Sequence, residues 1–275
     1  MRKILVLAAC TLLAVACIGC GKKEKEENKV TPEPTATAAA ENNNDANNGD
    51  NATTDVDAKS EGVMTHAEYV AAALDTEVVI ETYVQAKQSW WEDKATVYTQ
   101  DKDGAYFLYN MACSAEDYEK LVPGTKIKVT GYKAEWSGEV EVVDATFEII
   151  DGASYIAPVK DVTSLLGTDE LIKHQNEFVA FKGMTVEAVG KDADGNDLAF
   201  WYGWENSGQD GDDLYFSVSL GDATYTFTVE SYLCNNTTDV YAAVENLKIG
   251  DTVDMEGFLY WYEGVNPHIT SVTVK

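Results

Sequence analysis

The strongest pattern in the chain is an alternation of apolar and polar residues at 121–136, which reads LVPGTKIKVTGYKAEW. After a Pro-Gly turn, Ile127 and Val129 fall on one face and lysines fall on the other. A period of two residues predicts a strand with one buried face. Gly131 interrupts the alternation, and a glycine inside a strand pattern predicts a bulge or a bend.

The same pattern returns near the C-terminus at 247–261, which reads LKIGDTVDMEGFLYW. The pair Gly124 and Gly131 corresponds there to Gly250 and Gly257 with the same spacing. The repetition predicts that the chain contains two copies of one folding unit.

The first copy is predicted to contain five strands and two short helices. Thr65 and Glu68 form a capping box that starts the first helix, and an Asp-Gly turn at 101–104 joins two strands into a hairpin. The strands are predicted at 77–88, 95–99, 105–111, 121–136 and 139–150, and the second helix at 114–121. This order of strand, hairpin, helix and two strands resembles the OB-fold, which implies a mainly β, five-stranded barrel over 62–152.

The second copy is predicted over 157–275 with the same order of elements. Its strands are expected at 177–189, 214–220, 224–231, 251–261 and 268–274, with short helices at 168–172 and 239–247. Between its first two strands lies an insert at 190–213 that the first copy lacks. In OB-folds this loop flanks the ligand face, so the insert predicts a specialised function, unless it is a surface loop that drifted in length.

The N-terminal segment has the parts of a bacterial export signal. Residues 1–19 combine a charged start with an apolar run, and Cys17-Ile18-Gly19-Cys20 resembles the lipobox of bacterial lipoproteins. The resemblance implies a lipid on Cys20, with Cys17 as the competing acceptor and an ordinary cleaved signal peptide as the other alternative. Residues 20–61 are low in complexity and poor in large apolar residues, which predicts a disordered linker.

Taken together, the lipobox and the repeated strand resemble tandem OB-like lipoproteins of Gram-positive bacteria. The resemblance implies an extracytoplasmic protein that a lipid anchors to the cell membrane. The formal net charge of -27 disfavours nucleic acid as a partner, because affinity for phosphates depends on Lys and Arg.

Aromatic residues in the loops are the main candidates for ligand binding. Such rings could stack on sugars or bases, or they could instead plug the barrel ends or the domain interface. The candidates are Trp90, Trp91, Trp136, Trp201, Tyr202, Trp204 and Trp261, with Tyr262 beside the last of them.

Other chemistry is less well supported by the sequence. Asp192, Asp194 and Asn196 surround a glycine and predict either a calcium site or a solvated Asp-Gly turn. The three histidines lie apart in the sequence and no catalytic set can be argued from them. Cys113 and Cys234 occupy matching positions in the two copies, which predicts two buried thiols, with a disulfide between the barrels as the alternative.

These observations predict a non-catalytic binding or interaction lipoprotein. They do not identify its ligand, for which a glycan and a peptide are the candidates. The alternative is a purely structural protein of the cell envelope. An enzyme is the third hypothesis and lacks a recognisable catalytic set.

Overall fold

The computed structural model describes residues 59–275. The predicted signal peptide, the lipid acceptor Cys20, its competitor Cys17 and nearly all of the predicted linker lie outside the described residues.

The first barrel has the predicted OB-fold strand order. Its five strands close in the order β1-β2-β3-β5-β4, and β4 pairs back onto β1. The helix between β3 and β4 begins after the N-cap Ser114, whose hydroxyl accepts a hydrogen bond from the backbone of Asp117. The elements are α1 (His66–Ala71), β1 (Glu77–Lys87), β2 (Lys94–Gln100), β3 (Ala105–Ala112), α2 (Ala115–Lys120), β4 (Thr125–Trp136) and β5 (Glu139–Ser154).

The capping box predicted at the start of α1 is confirmed. The Glu68 N–H donates to Thr65 Oγ1 at 3.2 Å, and the Thr65 N–H donates to the Glu68 carboxylate at 2.8 Å. At the other end of α1, Lys133 Nζ donates to the carbonyls of Tyr69, Val70 and Ala72. The first helix is therefore fixed to β4 of the barrel at its C-terminus, where helix carbonyls lack partners of their own.

The second barrel repeats this strand order. Strands β7, β11, β12, β14 and β13 follow one another, and both β11 and β13 pair with β7. Its strands are β6 (Lys160–Asp161), β7 (Phe178–Glu187), β8 (Gly190–Lys191), β9 (Asp197–Leu198), β10 (Phe200–Tyr202), β11 (Leu214–Leu220), β12 (Ala223–Val229), β13 (Thr252–Phe258) and β14 (His268–Val274). Its helices are α3 (Asp239–Glu245) and three single 3-10 turns, at Thr163–Leu165, Leu171–His174 and Trp204–Asn206.

The repeated glycines Gly131 and Gly257 each lie beside a bulge, and the extra residue belongs to the partner strand, β5 or β14, rather than to the strand of the glycine. The pairing of β4 with β5 changes register between Thr130 and Tyr132, and that of β13 with β14 changes between Glu256 and Gly257. A Cβ on Gly131 would lie 2.7 Å from a Val142 methyl group, and a Cβ on Gly257 would lie 2.2 Å from the His268 carbonyl oxygen. Only glycine lets the neighbouring strand approach so closely.

Two predicted element boundaries in the second barrel were wrong. The helix predicted at 168–172 is a 3-10 turn at Leu171–His174, because two 3-10 turns rather than an α-helix lead the chain into β7. The strand predicted to reach Trp261 ends at Phe258, after which the chain forms an isolated bridge between Trp261 and Val265.

The two barrels share a buried aromatic joint. Tyr98 and Phe107 of the first barrel and Phe258 of the second form one buried cluster, in which Tyr98 stacks on Phe258 with ring centroids 4.5 Å apart. The Tyr98 hydroxyl lies 2.5 Å from His268 Nδ1. Gln100 Oε1 accepts a hydrogen bond of 2.8 Å from the Phe178 N–H, which ties the start of β7 to the first barrel.

A buried carboxyl group lies in the same joint. Glu139 at the start of β5 is fully buried, and its Oε2 accepts hydrogen bonds from the Trp261 N–H and the Gln175 amide. Its Oε1 and the neighbouring Asn176 Oδ1 are both buried without a donor. Burial raises the pKa of Glu139 to about 8, so the carboxyl is largely protonated at neutral pH.

Candidate functional site

A cleft of about 1080 Å³ lies between the barrels and takes side chains from both. Its walls consist largely of aromatic rings, and we call it the aromatic cleft. The first barrel contributes Trp91, Tyr109 and Trp136, and the second contributes Trp204, Tyr215, Tyr232, Tyr260 and Tyr262.

Six of these rings are unusually exposed for large apolar side chains. Trp91 is 66% exposed, Tyr232 is 61% exposed and Trp204 is 56% exposed. Trp136, Tyr109 and Tyr262 are exposed by 55%, 45% and 45%. Exposed apolar surface concentrated in one concave patch is typical of a binding site, because single exposed rings are normally scattered.

Each wall of the cleft comes from a strand end or from the loop that follows it. Trp91 lies in the β1–β2 loop, where it bridges to Lys94, and Trp136 is the last residue of β4. Tyr262 lies in the β13–β14 loop with its ring 5.1 Å from that of Trp136, so the two barrels meet at this edge. Trp204 belongs to the insert and packs edge-on against Tyr215 of β11 at 5.4 Å.

The floor of the cleft is electrically neutral. His268 stacks on Tyr260 with ring centroids 4.2 Å apart, and burial lowers the pKa of His268 to about 3. Burial also raises the pKa of Tyr98 well above its usual value, so the hydrogen bond between its hydroxyl and His268 Nδ1 joins two uncharged groups.

The sides of the cleft carry more acidic than basic groups. Asp213, Glu230 and Glu263 line it, against a single ammonium group from Lys94. Glu230 is 9% exposed, and its carboxylate accepts hydrogen bonds from the N–H groups of Tyr232 and Leu233. Burial, and then the nearby charge of Asp213, raise the pKa of Glu230 to about 7.

The structure brings three of the seven predicted aromatic candidates together in the cleft. These are Trp91, Trp136 and Trp204. Tyr262, which the sequence placed beside Trp261, also lines it. Of the two halves of the predicted insert, only the second reaches the cleft, through Trp204 and the terminal Asp213.

The other four candidates have structural contacts outside the cleft lining. Trp90 Nε1 donates to the Cys113 carbonyl at 2.9 Å, and the Tyr202 hydroxyl donates to Glu245 at 2.6 Å. The Trp201 ring packs on Gly190, and Trp261 packs against the second barrel core.

Four tyrosines of the cleft, at positions 109, 215, 232 and 260, were missed by the sequence reasoning. Tyr109 follows Phe107 and Tyr215 precedes Phe216 in β-strands, so each reads as one more aromatic residue of a barrel wall. Tyr260 and Tyr232 lie just past strand ends. Their position next to strand termini on the side of the predicted ligand loops was the available signal.

The predicted calcium residues form an Asp-Gly turn between β8 and β9. The Asp192 carboxylate accepts hydrogen bonds from the backbone N–H groups of Asp194 and Asn196 and from the Asn196 amide. Asp192 therefore caps its own turn. Within residues 59–275, no group of three or more His, Cys, Asp or Glu side chains is arranged to hold a metal ion.

Cys113 and Cys234 are both buried and both free, as the first of the two predicted alternatives requires. Burial is the main cause that raises the pKa of each thiol to about 11. Neither thiol is therefore ionised at neutral pH, and a reactive thiolate is not available at either position.

In the described part of the chain, no helix is both long enough and apolar enough to cross a bilayer. No family model matches the sequence, and no curated protein matches it.

Solved structures that match the chain include three complexes with DNA. A murine DNA-binding protein bound to double-stranded DNA is 9% identical, over 72% of this chain and 96% of that one, with a TM-score of 0.33. An Ifi202 HINa domain in complex with a 20-base-pair double-stranded DNA is 10% identical, over 74% and 97%, with a TM-score of 0.32. A replication protein A heterotrimer bound to single-stranded DNA is 11% identical, over 72% and 49%, with a TM-score of 0.29.

These matches disagree with the predicted ligand and partner. The sequence predicted a glycan or a peptide as the ligand and disfavoured nucleic acid, whereas the matched structures are complexes of proteins with DNA. The net charge of -27, on which the prediction about nucleic acid rested, is a sum over all 275 residues, linker included, and gives no measure of one site.

Proposed function

We propose that this protein is a non-catalytic binding module that holds a flat ring, of the size of a nucleobase, in the aromatic cleft. The observation that carries the proposal is the concentration of exposed aromatic rings around one cavity shared by two barrels. Stacking on an aromatic side chain contributes about 1–3 kcal/mol per base and tolerates any base, because every base has a π-face.

The geometry of the cleft supports stacking on more than one side. Trp136 and Tyr262 form one edge, and Trp204 with Tyr215 forms another. The volume of about 1080 Å³ lies slightly above the usual range for small-molecule sites, about 300–1,000 Å³. The cleft can therefore take one ring together with the group attached to it.

A purely structural role explains the exposed rings less well. The barrels are already joined by the buried cluster of Tyr98, Phe107 and Phe258. The rings of Trp91, Tyr232 and Trp204 stay more than half exposed, so they contribute little to that joint. A ligand would cover apolar surface that the fold itself leaves in contact with water.

The ionisable groups of the cleft support binding without chemistry. Burial keeps the His268 imidazole neutral, and its Nδ1 is engaged by Tyr98. The Glu230 carboxylate is engaged by two backbone N–H groups, which hold it in place as a fixed part of the wall.

The experiment is a titration of the full chain, followed by its tryptophan fluorescence. Adenosine is the first probe, and a short single-stranded oligodeoxyadenylate is the second. Saturable quenching is expected with at least one of them, because Trp91, Trp136 and Trp204 all line the cleft. Tyr232→Ala is expected to weaken binding about tenfold, which corresponds to about 1.4 kcal/mol.

A matched control is available on the first barrel. Tyr132 is 44% exposed on β4 and lies outside the cleft, so Tyr132→Ala should leave the affinity unchanged. Absence of binding by both probes, or an equal loss in the two variants, would contradict the proposal.

We also propose that the chain is a lipoprotein, anchored to the outer face of a bacterial cell membrane through Cys20. The lipobox-like run that ends at Cys20 supports this proposal. Cys20→Ala should abolish metabolic labelling with a fatty acid and release the protein from membranes. Labelling that persists in this variant and disappears in Cys17→Ala would assign the lipid to Cys17.

A further inference from the structure

The charged groups of the aromatic cleft are distributed unevenly between the two barrels, which stacking alone does not explain. All three of its carboxylates, Asp213, Glu230 and Glu263, come from the second barrel, and the single lysine, Lys94, comes from the first. Asp213 is fixed by hydrogen bonds from the N–H and the hydroxyl of Ser231 at 2.8 and 2.7 Å. Glu230 is fixed by the backbone of the same segment, so two acidic groups stand in defined positions beside the rings.

We propose that the aromatic cleft selects a flat ring that carries a positive charge, of the class of N-alkylated heteroaromatic cations, and that Glu230 determines this selectivity. The inference rests on the proposed function, since it names the class of ring that the same site prefers. A neutral ring gains only stacking and burial in the cleft. A cationic ring also gains attraction to the faces of Trp and Tyr and to the acidic groups.

The placement of Glu230 makes it the acidic group with the strongest expected effect. It lies at the end of β12 and is nine-tenths buried, so water screens its charge less than that of the exposed Glu263. Its carboxylate already has backbone donors, and therefore it can stay ionised beside a cation without rearrangement.

The protonation of Glu230 makes the affinity for a cationic ring depend on pH. The pKa of Glu230 is about 7 in the free protein, so part of the population is protonated at neutral pH. A bound cation favours the ionised form and lowers this pKa, which means that binding releases a proton. The affinity for the cation is therefore higher at pH 8 than at pH 6.

Other ionisable groups face the same region and set the background for this titration. The charged ones are Asp213, Glu263 and Lys94, and the groups that remain neutral near pH 7 are Tyr98, Tyr215, Tyr260, Cys234 and His268. Burial raises the pKa of Tyr215 to about 12 and that of Cys234 to about 11, and it lowers that of His268 to about 3. Glu230, with a pKa of about 7, lines the cleft, whereas Glu139, with a pKa of about 8, lies in the joint outside the cleft lining.

The test compares two ligands of nearly the same shape that differ in charge. N-methylquinolinium is a permanent cation, and quinoline is its neutral counterpart. Isothermal titration calorimetry on the full chain at pH 8 should show the cation binding about tenfold more tightly, a difference of about 1.4 kcal/mol. Between pH 8 and pH 6 the affinity for the cation should fall several-fold, while that for quinoline stays constant.

Variants separate the role of Glu230 from general effects. Glu230→Gln keeps an acceptor for the backbone donors and should remove both the preference for the cation over quinoline and the pH dependence of cation binding. Glu256→Gln, on β13 and outside the cleft, is the matched control and should behave as the unaltered chain. Thermal unfolding of each variant checks that the fold is retained.

The outcomes distinguish this inference from the proposed function. Equal affinities for the two ligands would overturn the inference, and so would a preference for the cation that persists in Glu230→Gln. In either case, binding of quinoline would still support the proposed function. Absence of binding by both ligands would overturn both.

Discussion

The two barrels are built alike inside and differ where they meet solvent. Both have the same strand order, a bulge in the last strand opposite a glycine of the fourth strand, and a buried free cysteine after the third strand. The second barrel alone carries the insert, whose β10 pairs with β11. All the carboxylates of the aromatic cleft come from the second barrel as well. The two barrels thus share their strand framework and differ mainly in their loops.

One internal position shows how a single difference changes the local design. Lys133 lies two residues after Gly131 in the first barrel, and Leu259 lies two residues after Gly257 in the second. Lys133 donates to three carbonyls at the end of α1, whereas Leu259 is fully buried in the apolar core. The second barrel begins with 3-10 turns and has no α-helix at this point among the described residues, so it needs no such donor.

The two barrels also match in the joint between them. The last strand of each begins with a buried ionisable residue, Glu139 in β5 and His268 in β14. Each bonds to the other barrel, Glu139 with the Trp261 N–H and His268 with the Tyr98 hydroxyl. Burial favours the uncharged form of both, since it raises the pKa of Glu139 to about 8 and lowers that of His268 to about 3.

The largest expected effect comes from breaking the two bulges in parallel. A Cβ on Gly257 would meet backbone atoms at 2.2 and 2.8 Å, whereas a Cβ on Gly131 meets mainly side chains and one carbonyl at 2.7–3.0 Å. We expect Gly257→Ala to lower the free energy of unfolding by about 4 kcal/mol and Gly131→Ala by about 2 kcal/mol. Urea unfolding monitored by fluorescence measures both. Equal losses would mean that the two bulges accommodate a side chain equally well.

The next effect concerns the buried carboxyl of the joint. The folded-state pKa of Glu139, about 8, lies above its ordinary value of 4.5, so the unfolded chain loses this proton first. Stability is therefore highest below pH 4.5 as far as this group is concerned, and it declines as the pH rises toward 8. Glu139→Gln should add on the order of 3 kcal/mol at pH 7 and flatten this decline.

Thermal unfolding of the Glu139→Gln variant between pH 5 and pH 8 measures this effect, with Glu148→Gln on the same strand as the control. A variant with the same slope against pH as the unaltered chain would show that Glu139 is ionised in the joint.

The smallest expected effect concerns the position two residues after the repeated glycine, which is Lys133 in the first barrel and Leu259 in the second. Lys133→Met keeps the length and the apolar stem of the side chain but removes the donor to the carbonyls of α1. We expect a loss of about 1–3 kcal/mol, accompanied by faster hydrogen exchange in α1. Leu259→Met is the matched substitution in the second barrel and should cost less than about 1.5 kcal/mol. Unchanged exchange in α1 would show that the helix is held by its apolar contacts alone.

The sequence predicted the barrels well because local patterns determine them. Alternation, the Asp-Gly turn and the repeated glycines each depend on neighbouring residues, and the structure places strands and bulges where these patterns lie. The capping box at Thr65 was predicted for the same reason.

The candidate site was predicted only in part because it forms between distant segments. Trp91, Trp136 and Trp204 were recognised as loop aromatics, but their meeting with Tyr109 and Tyr232 depends on how the two barrels dock. Trp201 and Trp204 look equivalent in the sequence, yet Trp201 packs on Gly190. Glu230 is one of many acidic residues, and only its burial in the cleft sets it apart.

The hydrogen bonds that Glu139 and His268 each form with the opposite barrel have a consequence for the thermodynamics of ligand binding. The Glu139 carboxyl and the His268 imidazole are both uncharged at neutral pH, and aromatic rings pack between the barrels. The barrels are therefore docked before any ligand binds. The walls of the cleft are thus preorganised, and association need not restrict the freedom of one domain relative to the other. We therefore expect the heat capacity change on binding to match the apolar area of one small ring, without an added contribution from domain closure.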